Sequence, residues 1–401
     1  MNLHLWRPFI TVSLALCIGT IGTALASPLY PLYQAVWHLL PSDITYIFVA
    51  YMFGCMTTLL FLGRTSNSLG YIRTLQIGLF IAILGLIFSV FAHQAMVLGI
   101  GRFIIGIASG LISTSAMLGL MCTIPASHQQ NAAQISSIVT VIGFGLGPLV
   151  GGSIAEFSEY PLVTPYVPII VLACLSLISL FTLRAPAITK QPFSIAPRLD
   201  TPEKQYKAIF YIGGFTAFCA FAAFCLFASL APSFIQDILP WHGPLVSGIT
   251  ISGILMFSAL AQIYSRRFNM HQSINQGLIA MIVSLVLLAL CMAFELSFLF
   301  FTSVILVGWG HGAGLIGAFE VMQRITTTNN RAAVISTYLF IAYLGTILPI
   351  VSVGYISDHF GFTTSIISFC IVIAALCFYL WRKHTTVKAE LEQTFIKENA
   401  G

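Results

Sequence analysis

The chain has 401 residues, of which 58% are hydrophobic and only 7% are charged, and its mean hydropathy is +0.95. Soluble domains carry about 25% charged residues, so this composition excludes a soluble globular protein. The formal net charge is +5. Because the basic residues follow the membrane topology described below, this charge does not indicate nucleic-acid binding.

Apolar segments of about 20 residues recur along the whole chain, and each is long enough to cross a hydrocarbon core of about 30 Å. The sequence therefore predicts an all-α polytopic membrane protein. Twelve spans are predicted, in chain order: 9–30, 44–63, 74–92, 95–121, 132–155, 165–184, 208–235, 244–264, 274–294, 297–321, 332–353 and 363–381.

The distribution of lysine and arginine predicts the orientation of these spans. Sixteen of the 17 basic residues fall on one side if the N-terminus is cytoplasmic, and only Arg102 lies within a span. Basic residues concentrate in cytoplasmic loops, so both termini are expected in the cytoplasm. An odd number of spans would scatter these charges. We expect a multi-pass protein of the inner (cytoplasmic) membrane.

Three weak matches suggest that the chain consists of two related halves. "NAAQISS" (131–137) resembles "RAAVIST" (331–337), "ASPLYPLYQ" (26–34) resembles "ASLAPSFIQ" (228–236), and Pro148 and Pro349 lie at matching depths. All three have an offset close to 200 residues, as expected of a parallel repeat. The predicted domains are a six-helix bundle (1–184), a basic, proline-rich cytoplasmic linker (185–207) and a second six-helix bundle with a short cytoplasmic tail (208–401).

Three motifs turn this organisation into a family resemblance. They are "IGTALASPLYP" (21–31), "LGIGRFIIGIASG" (98–110) and "GFGLGPLVGG" (143–152). Together they resemble the motifs of spans 1, 4 and 5 in the twelve-span drug/proton antiporter branch of the major facilitator superfamily. The resemblance implies two pseudo-symmetric six-helix bundles with substrate bound between them, and its span-5 motif is associated with exporters. The motif residues are Gly22, Pro28, Pro31, Arg102, Gly106, Gly143, Gly147, Pro148, Gly151 and Gly152.

The span-5 motif has a physical interpretation of its own. Gly143, Gly147 and Gly151 repeat every four residues, so they share one helix face and allow close approach of a neighbouring backbone. Pro148 removes a backbone hydrogen bond and can bend the helix. Such a contact suits a seam that moves during transport. The alternative is ordinary helix packing with no role in the direction of transport.

The end of span 1 contains two prolines and two tyrosines. Pro28 and Pro31 are expected to loosen the helix there, beside Tyr30 and Tyr33. The resemblance implies that this end lies near a central cavity. The alternative is an ordinary proline-containing helix exit.

Arg102 is a charge in an otherwise apolar, glycine-rich segment. A charge at the bilayer centre costs about 2.5–3.5 kcal/mol on insertion scales, so it usually faces a cavity or a partner. The resemblance implies a role in proton coupling. The alternative is that the side chain snorkels or donates hydrogen bonds to carbonyls at a helix end.

The loop "GRTSNSLGYIRT" (63–74) departs from the family pattern. Gly63, Gly70 and a displaced Arg73 remain, but the acid and the other basic residues of the pattern are missing. The cytoplasmic charge latch that the family builds here is therefore expected to be weakened or rebuilt.

Proton coupling requires a group that titrates near the pathway, yet all 12 acids lie in loops, tails or span ends. His311, in "GWGHGAGLIG" (308–317), is the other ionisable residue near a span centre, so we predict that it carries the proton or contacts substrate. The alternative is a neutral, buried histidine bonded to a backbone carbonyl. Glu320, near the inner end of the same span, is the next candidate.

These features predict a proton-driven exporter of small amphipathic or organic molecules, drugs included, that works by alternating access. The expected partners are the lipid bilayer, a small-molecule substrate and protons, with no nucleic acid, and the chain is expected to be a monomer. The nine cysteines show no CxxC and no grouping with histidine, so neither a cofactor nor a metal is expected. The alternatives are a permease for uptake or facilitated diffusion and, more remotely, a membrane-embedded enzyme, for which paired catalytic groups are missing.

Overall fold

The computed structural model describes residues 3–125, 127–128, 132–183, 197, 199–327 and 330–399, and the regular elements of these residues are all helical. Short irregular turns occur at two places: a 3-10 turn at Ser27–Leu29 separates the first two helices, and a π turn at Thr58–Leu62 follows the third. In chain order the helices are α1 (Leu3–Ala24), α2 (Tyr30–Trp37), α3 (Pro41–Thr57), α4 (Thr65–Leu69), α5 (Tyr71–Val90), α6 (Ala95–Thr123), α7 (Ala132–Glu156), α8 (Tyr166–Phe181), α9 (Lys207–Ser229), α10 (Ala231–Ile238), α11 (Pro244–Ser265), α12 (Met270–Phe294), α13 (Ser297–Arg324) and α14 (Arg331–Asn399).

Ten helical segments of the described chain are long and apolar enough to cross a membrane. One of them, Arg331–Val387, contains two spans, because Gly361 has a φ of 80° and breaks α14. The apolar helix α8 is shorter, with 16 residues. These segments are consistent with the twelve predicted spans.

The first span is interrupted where the sequence places its prolines. α1 ends at Ala24, and the chain continues through the 3-10 turn containing Pro28 into α2, where Pro31 occupies the first turn. Proline fits these positions because the first turn of a helix needs no amide donor. Tyr30 and Tyr33 thereby lie on a separate helical segment, and both are buried.

By their contacts the described residues fall into two compact units, each taken here by itself. Unit 1 comprises Met1–Pro197 and Ala228–Leu255, and unit 2 comprises Arg198–Phe227 and Met256–Gly401. The bundle boundaries at 184 and 207 stay a prediction. Most of the predicted linker (185–207) lies outside the described residues, as do Asn131 and the side chains of 132–137 in the first repeat.

Glycines set the closest helix contacts inside each unit. In unit 1, a Cβ on Gly106 of α6 would meet the Tyr51 carbonyl and lie 2.9 Å from the Cα of Gly54 on α3. In unit 2, a Cβ on Gly277 of α12 would lie 2.6 Å from the Cα of Gly314 on α13. Membrane helices associate through such small-residue contacts, because lipid supplies no hydrophobic force between them.

Candidate functional site

The Arg102 side chain is buried in unit 1, with only 1% of its surface exposed. Its Nη1 donates a 2.8 Å hydrogen bond to the carbonyl of Thr23, next to the last residue of α1. Its guanidinium carbon lies 4.8 Å from the ring centre of Tyr51 on α3, a cation–π distance. Arg102 therefore does donate to a helix-end carbonyl, and it does so from a buried position rather than by snorkelling.

Tyrosines surround this arginine. The Tyr33 and Tyr166 hydroxyls share a 3.0 Å hydrogen bond, and the Tyr51 hydroxyl lies 3.2 Å from Ser109 Oγ. Tyr30, which packs edge-on against Phe48, is fully buried. The structure thus brings Arg102, Tyr30 and Tyr33 into one polar region, which we call the arginine cluster together with Tyr51 and Tyr166.

The arginine cluster holds a positive charge without a paired acid. No carboxylate among the described residues lies within ion-pair distance of Arg102. The Nε of Arg102 and the hydroxyl of Tyr30 are both buried without a hydrogen-bond partner of standard geometry. A buried charge is costly unless polar groups compensate it, and here a carbonyl and an aromatic ring supply part of that compensation. The remaining donors can serve an acceptor that enters the cluster.

His311 forms a second polar group, in unit 2. Its Nδ1 lies 2.8 Å from Ser258 Oγ on α11, and Gln262 Nε2 donates to the same oxygen at 3.3 Å. Since Ser258 accepts from Gln262, its own hydroxyl proton is available for Nδ1, which leaves the histidine proton on Nε2. The observed partner is thus a side-chain hydroxyl rather than the backbone carbonyl of the alternative interpretation.

Aromatic rings cover the imidazole of His311. The ring centres of Phe221 and Phe224 on α9 lie 5.9 and 5.3 Å from it, and Phe221 also contacts Tyr343 at 5.7 Å. We call His311, Ser258, Phe221, Phe224 and Tyr343 the histidine cluster.

The other phenylalanines of span 7 lie elsewhere. Phe215 is 37% exposed, whereas Phe227 is buried against Phe300. A spacing of three residues drifts around a helix, so these rings spiral instead of lining one face. The five phenylalanines with this spacing are Phe215, Phe218, Phe221, Phe224 and Phe227.

Glu320 does not join the histidine cluster. It lies nine residues after His311, about 13 Å further along α13, and its carboxylate pairs with Arg324 at 2.7 Å. The Glu320 side chain is 34% exposed. This is an i,i+4 pair of the kind found on helix surfaces.

The α7 glycines share one face, as the spacing predicts, and that face packs against α1. A Cβ on Gly143 would meet the Thr20 hydroxyl, and one on Gly151 would meet the Leu25 carbonyl just beyond α1. A Cβ on Gly147 would lie only 2.8 Å from the Cβ of Ala24. α1 and α7 therefore approach each other as closely as their backbones allow.

A second face of α7 packs against the first half of α11, also within unit 1. A Cβ on Gly152 would meet the Pro244 carbonyl, and one on Gly248 would meet the Pro148 carbonyl. Ser252 Oγ donates a 2.6 Å hydrogen bond to the Gly145 carbonyl. We call these contacts the α7–α11 seam. The motif thus serves two partners, and its spacing alone does not reveal the second.

The last residue of α7 extends this seam. The Glu156 Oε2 accepts a 3.2 Å hydrogen bond from the backbone amide of Leu245, the second residue of α11. Gly243, which has a φ of 123°, is the residue before α11, and it lies against this carboxylate. Sequence reasoning placed Glu156 among the loop and span-end acids. An acid four residues after the end of a glycine–proline motif, on the same helix, is the signal that could have drawn attention to it.

In the loop between the second and third spans, Gly70 has a φ of 86° and precedes α5, a conformation that favours glycine. Gly63 ends the π turn after α3, and Arg73 is exposed. A Cβ on Gly22 of α1 would lie 3.4 Å from the side chains of Ile169 and Leu86, an ordinary van der Waals distance. The weakened charge latch at this loop stays a prediction.

Comparison with known proteins places these features in a family context. The model of the Major Facilitator Superfamily matches residues 12–348. Quinolone resistance protein NorA of Staphylococcus aureus is 30% identical over 141 residues, 35% of this chain and 36% of that protein. Riboflavin transporter RibZ of Clostridioides difficile is 23% identical over 156 residues, 39% of this chain and 34% of that protein. The match thus covers about a third of the length of each curated relative.

Solved structures resemble nearly the whole chain at low sequence identity. A bacterial homologue of the human lysosomal transporter Spinster, in an inward-facing and occupied conformation, has a TM-score of 0.72 at 14% identity and covers 94% of this chain and 97% of its own. A mutant form of the nucleoside transporter NupG has a TM-score of 0.69 at 14% identity, with coverages of 94% and 99%. At this identity the likeness establishes the fold.

Proposed function

The chain belongs to the Major Facilitator Superfamily of membrane transporters, and from this premise we propose that it exports small amphipathic organic molecules, drugs included, in exchange for protons. Membership of a transporter family makes it a transporter rather than an enzyme. Alternating access, in which two bundles rock around a midplane site, is the general mechanism of such proteins.

The observation that carries the proposal is the packing of α7. Its glycines contact α1 on one face and, with Pro148, the first half of α11 on the other. A helix that contains a proline can bend, and small residues on both of its faces let it slide between two neighbours with few side chains in the way. The partial match to NorA, a protein named for quinolone resistance, also favours export.

In this proposal the two clusters have different roles. Arg102 is a fixed cation that holds an acceptor or repels a proton, since guanidinium stays protonated in proteins. His311 can gain and lose a proton, and its ring is covered by Phe221 and Phe224, which suit planar apolar cargo. Tyr30 and Tyr33 would supply hydroxyls near the arginine. Glu320 is the weaker coupling candidate, because Arg324 already pairs with it.

We also propose the setting of this activity. The protein would act as a monomer in the inner membrane with both termini in the cytoplasm, following the predicted distribution of basic residues. Its partners would be the surrounding lipid, the cargo and protons.

A second candidate is a permease for uptake or facilitated diffusion. It is favoured by one observation: the described spans place no carboxylate beside Arg102 or His311. The names of RibZ, a riboflavin transporter, and NupG, a nucleoside transporter, show that relatives and fold neighbours include carriers of metabolites.

Proton flux in inside-out vesicles with an acid interior distinguishes these functions. Amphiphilic dyes, drugs and secreted metabolites are added singly to vesicles containing wild type, Arg102→Gln or His311→Gln, and a pH-sensitive dye reports the gradient. Arg382→Gln, which removes an exposed cation outside both clusters, is the matched control. We expect cargo to discharge the gradient in wild type and in the control, and not in the two cluster variants.

Two other outcomes redirect the proposal. Discharge that survives both cluster substitutions would retain antiport but move the titrating site elsewhere, with Glu320→Gln as the next variant. Labelled cargo that crosses without any proton movement would refute antiport in favour of the permease.

A further inference from the structure

We infer that Glu156 is a proton-responsive latch of the α7–α11 seam: its carboxylate, at the end of α7, caps the start of α11 and holds the two helix ends together until a proton neutralises it. The inference rests on the proposed alternating-access transport and adds a carboxylate at the end of a span to the histidine already proposed as a proton carrier.

The capping geometry is specific. The first amides of a helix have no partner within that helix, and in α11 the amide of Leu245 donates to Glu156 Oε2 at 3.2 Å. The residue before the helix is Gly243, whose carbonyl accepts from the Ser247 amide. Glycine offers no side chain for capping, so the cap comes from a different helix. A Cβ at Gly243 would lie 2.9 Å from Glu156 Oε2, which leaves the carboxylate room only because the residue is glycine.

Charge makes this cap sensitive to protons. A carboxylate at a helix N-terminus interacts favourably with the positive end of the helix dipole, and the neutral acid does so far less. The ionised form therefore stabilises the contact, and the contact weakens as the pH falls and Glu156 becomes protonated. Glu156 is exposed, so protons on that side of the membrane reach it directly.

The position of Glu156 connects this cap to the seam. One turn before it, Gly152 contacts the Pro244 carbonyl, and two turns before it, the Pro148 carbonyl contacts Gly248. Release at Glu156 would free the end of a contact that otherwise runs continuously down to Gly145 and Ser252. In the predicted topology this end faces the outside, the side from which protons enter during antiport.

Other ionisable groups belong to the segments around this end of unit 1. The carboxylate of Asp43 is already used, because it accepts from the Leu40 amide at 3.0 Å and caps α3. Of the side chains that the structure describes among them, none forms an ion pair with Glu156. They are His38 after α2, Asp43 in α3, His93 before α6, Glu159 after α7, Asp237 in α10 and His242 before Gly243.

Pulsed EPR distance measurements test the latch directly. Spin labels on Phe157→Cys and Trp241→Cys, at side chains that are 83% and 66% exposed, flank the cap. The background carries serine at the exposed Cys122 and at the partly buried Cys17 and Cys174. The full-length protein in nanodiscs is measured from about pH 8 to about pH 4, the range that spans carboxylate protonation.

We expect the short-distance population of the labelled wild type to dominate at high pH. On acidification, the ratio of short to long distances should fall about fivefold, which corresponds to the free energy that a typical helix cap contributes. Glu156→Gln should give a flat profile that stays near the low-pH level of the wild type, so its short-distance population is smaller than that of the wild type at high pH. Glu156→Asp, which keeps the charge on a shorter side chain, should retain a response. Glu159→Gln and His242→Gln are the matched controls and should follow the wild type.

A wild-type distance distribution that does not change with pH would overturn the latch, as would a Glu156→Gln profile identical to that of the wild type. A response that disappears with His242→Gln instead would assign it to the imidazole and likewise overturn the proposal. Failure of the proposed function is seen separately, in the vesicle assay. If no cargo discharges the gradient while the Glu156-dependent response persists, export is refuted and the latch stands.

Discussion

α7 and the first part of α14 (331–360) are the helices that the predicted repeat pairs with each other, yet they pack differently. Pro148 and Pro349 mark the correspondence, 201 residues apart, and at that offset Gly147 corresponds to Leu348. α7 has backbone-close contacts on two faces. In α14, Gly345 makes such a contact with the Phe218 backbone of α9, whereas Leu348 is 56% exposed.

The two helices thus share the proline but not the close contacts. Proline acts locally, by removing one backbone hydrogen bond, so it has the same effect in both helices. Glycine affects packing only where another helix approaches it, because its missing side chain then lets the two backbones come close. The two helices are therefore unequal in packing, and the span-5 motif belongs to α7, which has close contacts on both faces.

The largest effect is expected from the double variant Gly151→Ala/Gly152→Ala in α7. The new methyl groups meet the Leu25 carbonyl on one face and the Pro244 carbonyl on the other, so the helix cannot relieve one contact without worsening the other. Overpacking costs about 1–3 kcal/mol per site, and we expect the double variant to lower the thermal unfolding midpoint strongly and to abolish transport. Retention of wild-type stability would show that α7 is not held on both faces.

Gly345→Ala should have a smaller effect, because α14 has this close contact on one face and can shift away from α9. We expect a loss of about 1–2 kcal/mol of stability, read as a drop in unfolding midpoint smaller than that of the double variant, with transport reduced but measurable. A loss as large as that of the double variant would make the two helices equivalent.

The variants Pro148→Ala and Pro349→Ala test the roles of the two prolines separately. Each substitution restores a backbone amide donor and favours a straight helix, so stability should be unchanged or slightly raised. We expect transport to fall several-fold for Pro148→Ala and less for Pro349→Ala, because only the first proline lies in the α7–α11 seam. Initial rates in vesicles, normalised to protein content, measure this, and equal losses would contradict the asymmetry.

The smallest effect is expected from Leu348→Ala. Leu348 is exposed, and substitutions at exposed positions usually change stability by less than about 0.5 kcal/mol. Unfolding midpoint and transport should both match the wild type. A large loss at Leu348 would reveal an unrecognised contact at the position that corresponds to Gly147.

Much of the architecture was predictable because it depends on local sequence. Helix α6 was predicted at 95–121 and spans Ala95–Thr123, and α11 was predicted at 244–264 and spans Pro244–Ser265. Span length, apolar composition and proline position need no knowledge of distant residues. The common face of Gly143, Gly147 and Gly151 follows from helical periodicity in the same way.

The partners of the candidate residues were not predictable by these rules. His311 was predicted as a titrating residue near glycines, but its hydroxyl partner Ser258 lies 53 residues away in sequence. Glu320 was a coupling candidate by position, and the structure pairs it with Arg324 on its own helix.

The amino-acid sequence alone was sufficient to identify a helical membrane protein of a transporter family, the helices that contain proline, and the helix face that carries glycine. Only the tertiary structure decided that Arg102 donates to Thr23, that the α7 motif serves both α1 and α11, and that Glu156 caps a helix other than its own. The physical reason is range. Hydropathy, periodicity and proline act within one helix. The partner of a buried donor or of a glycine, in contrast, is whichever distant backbone the fold brings within about 3 Å.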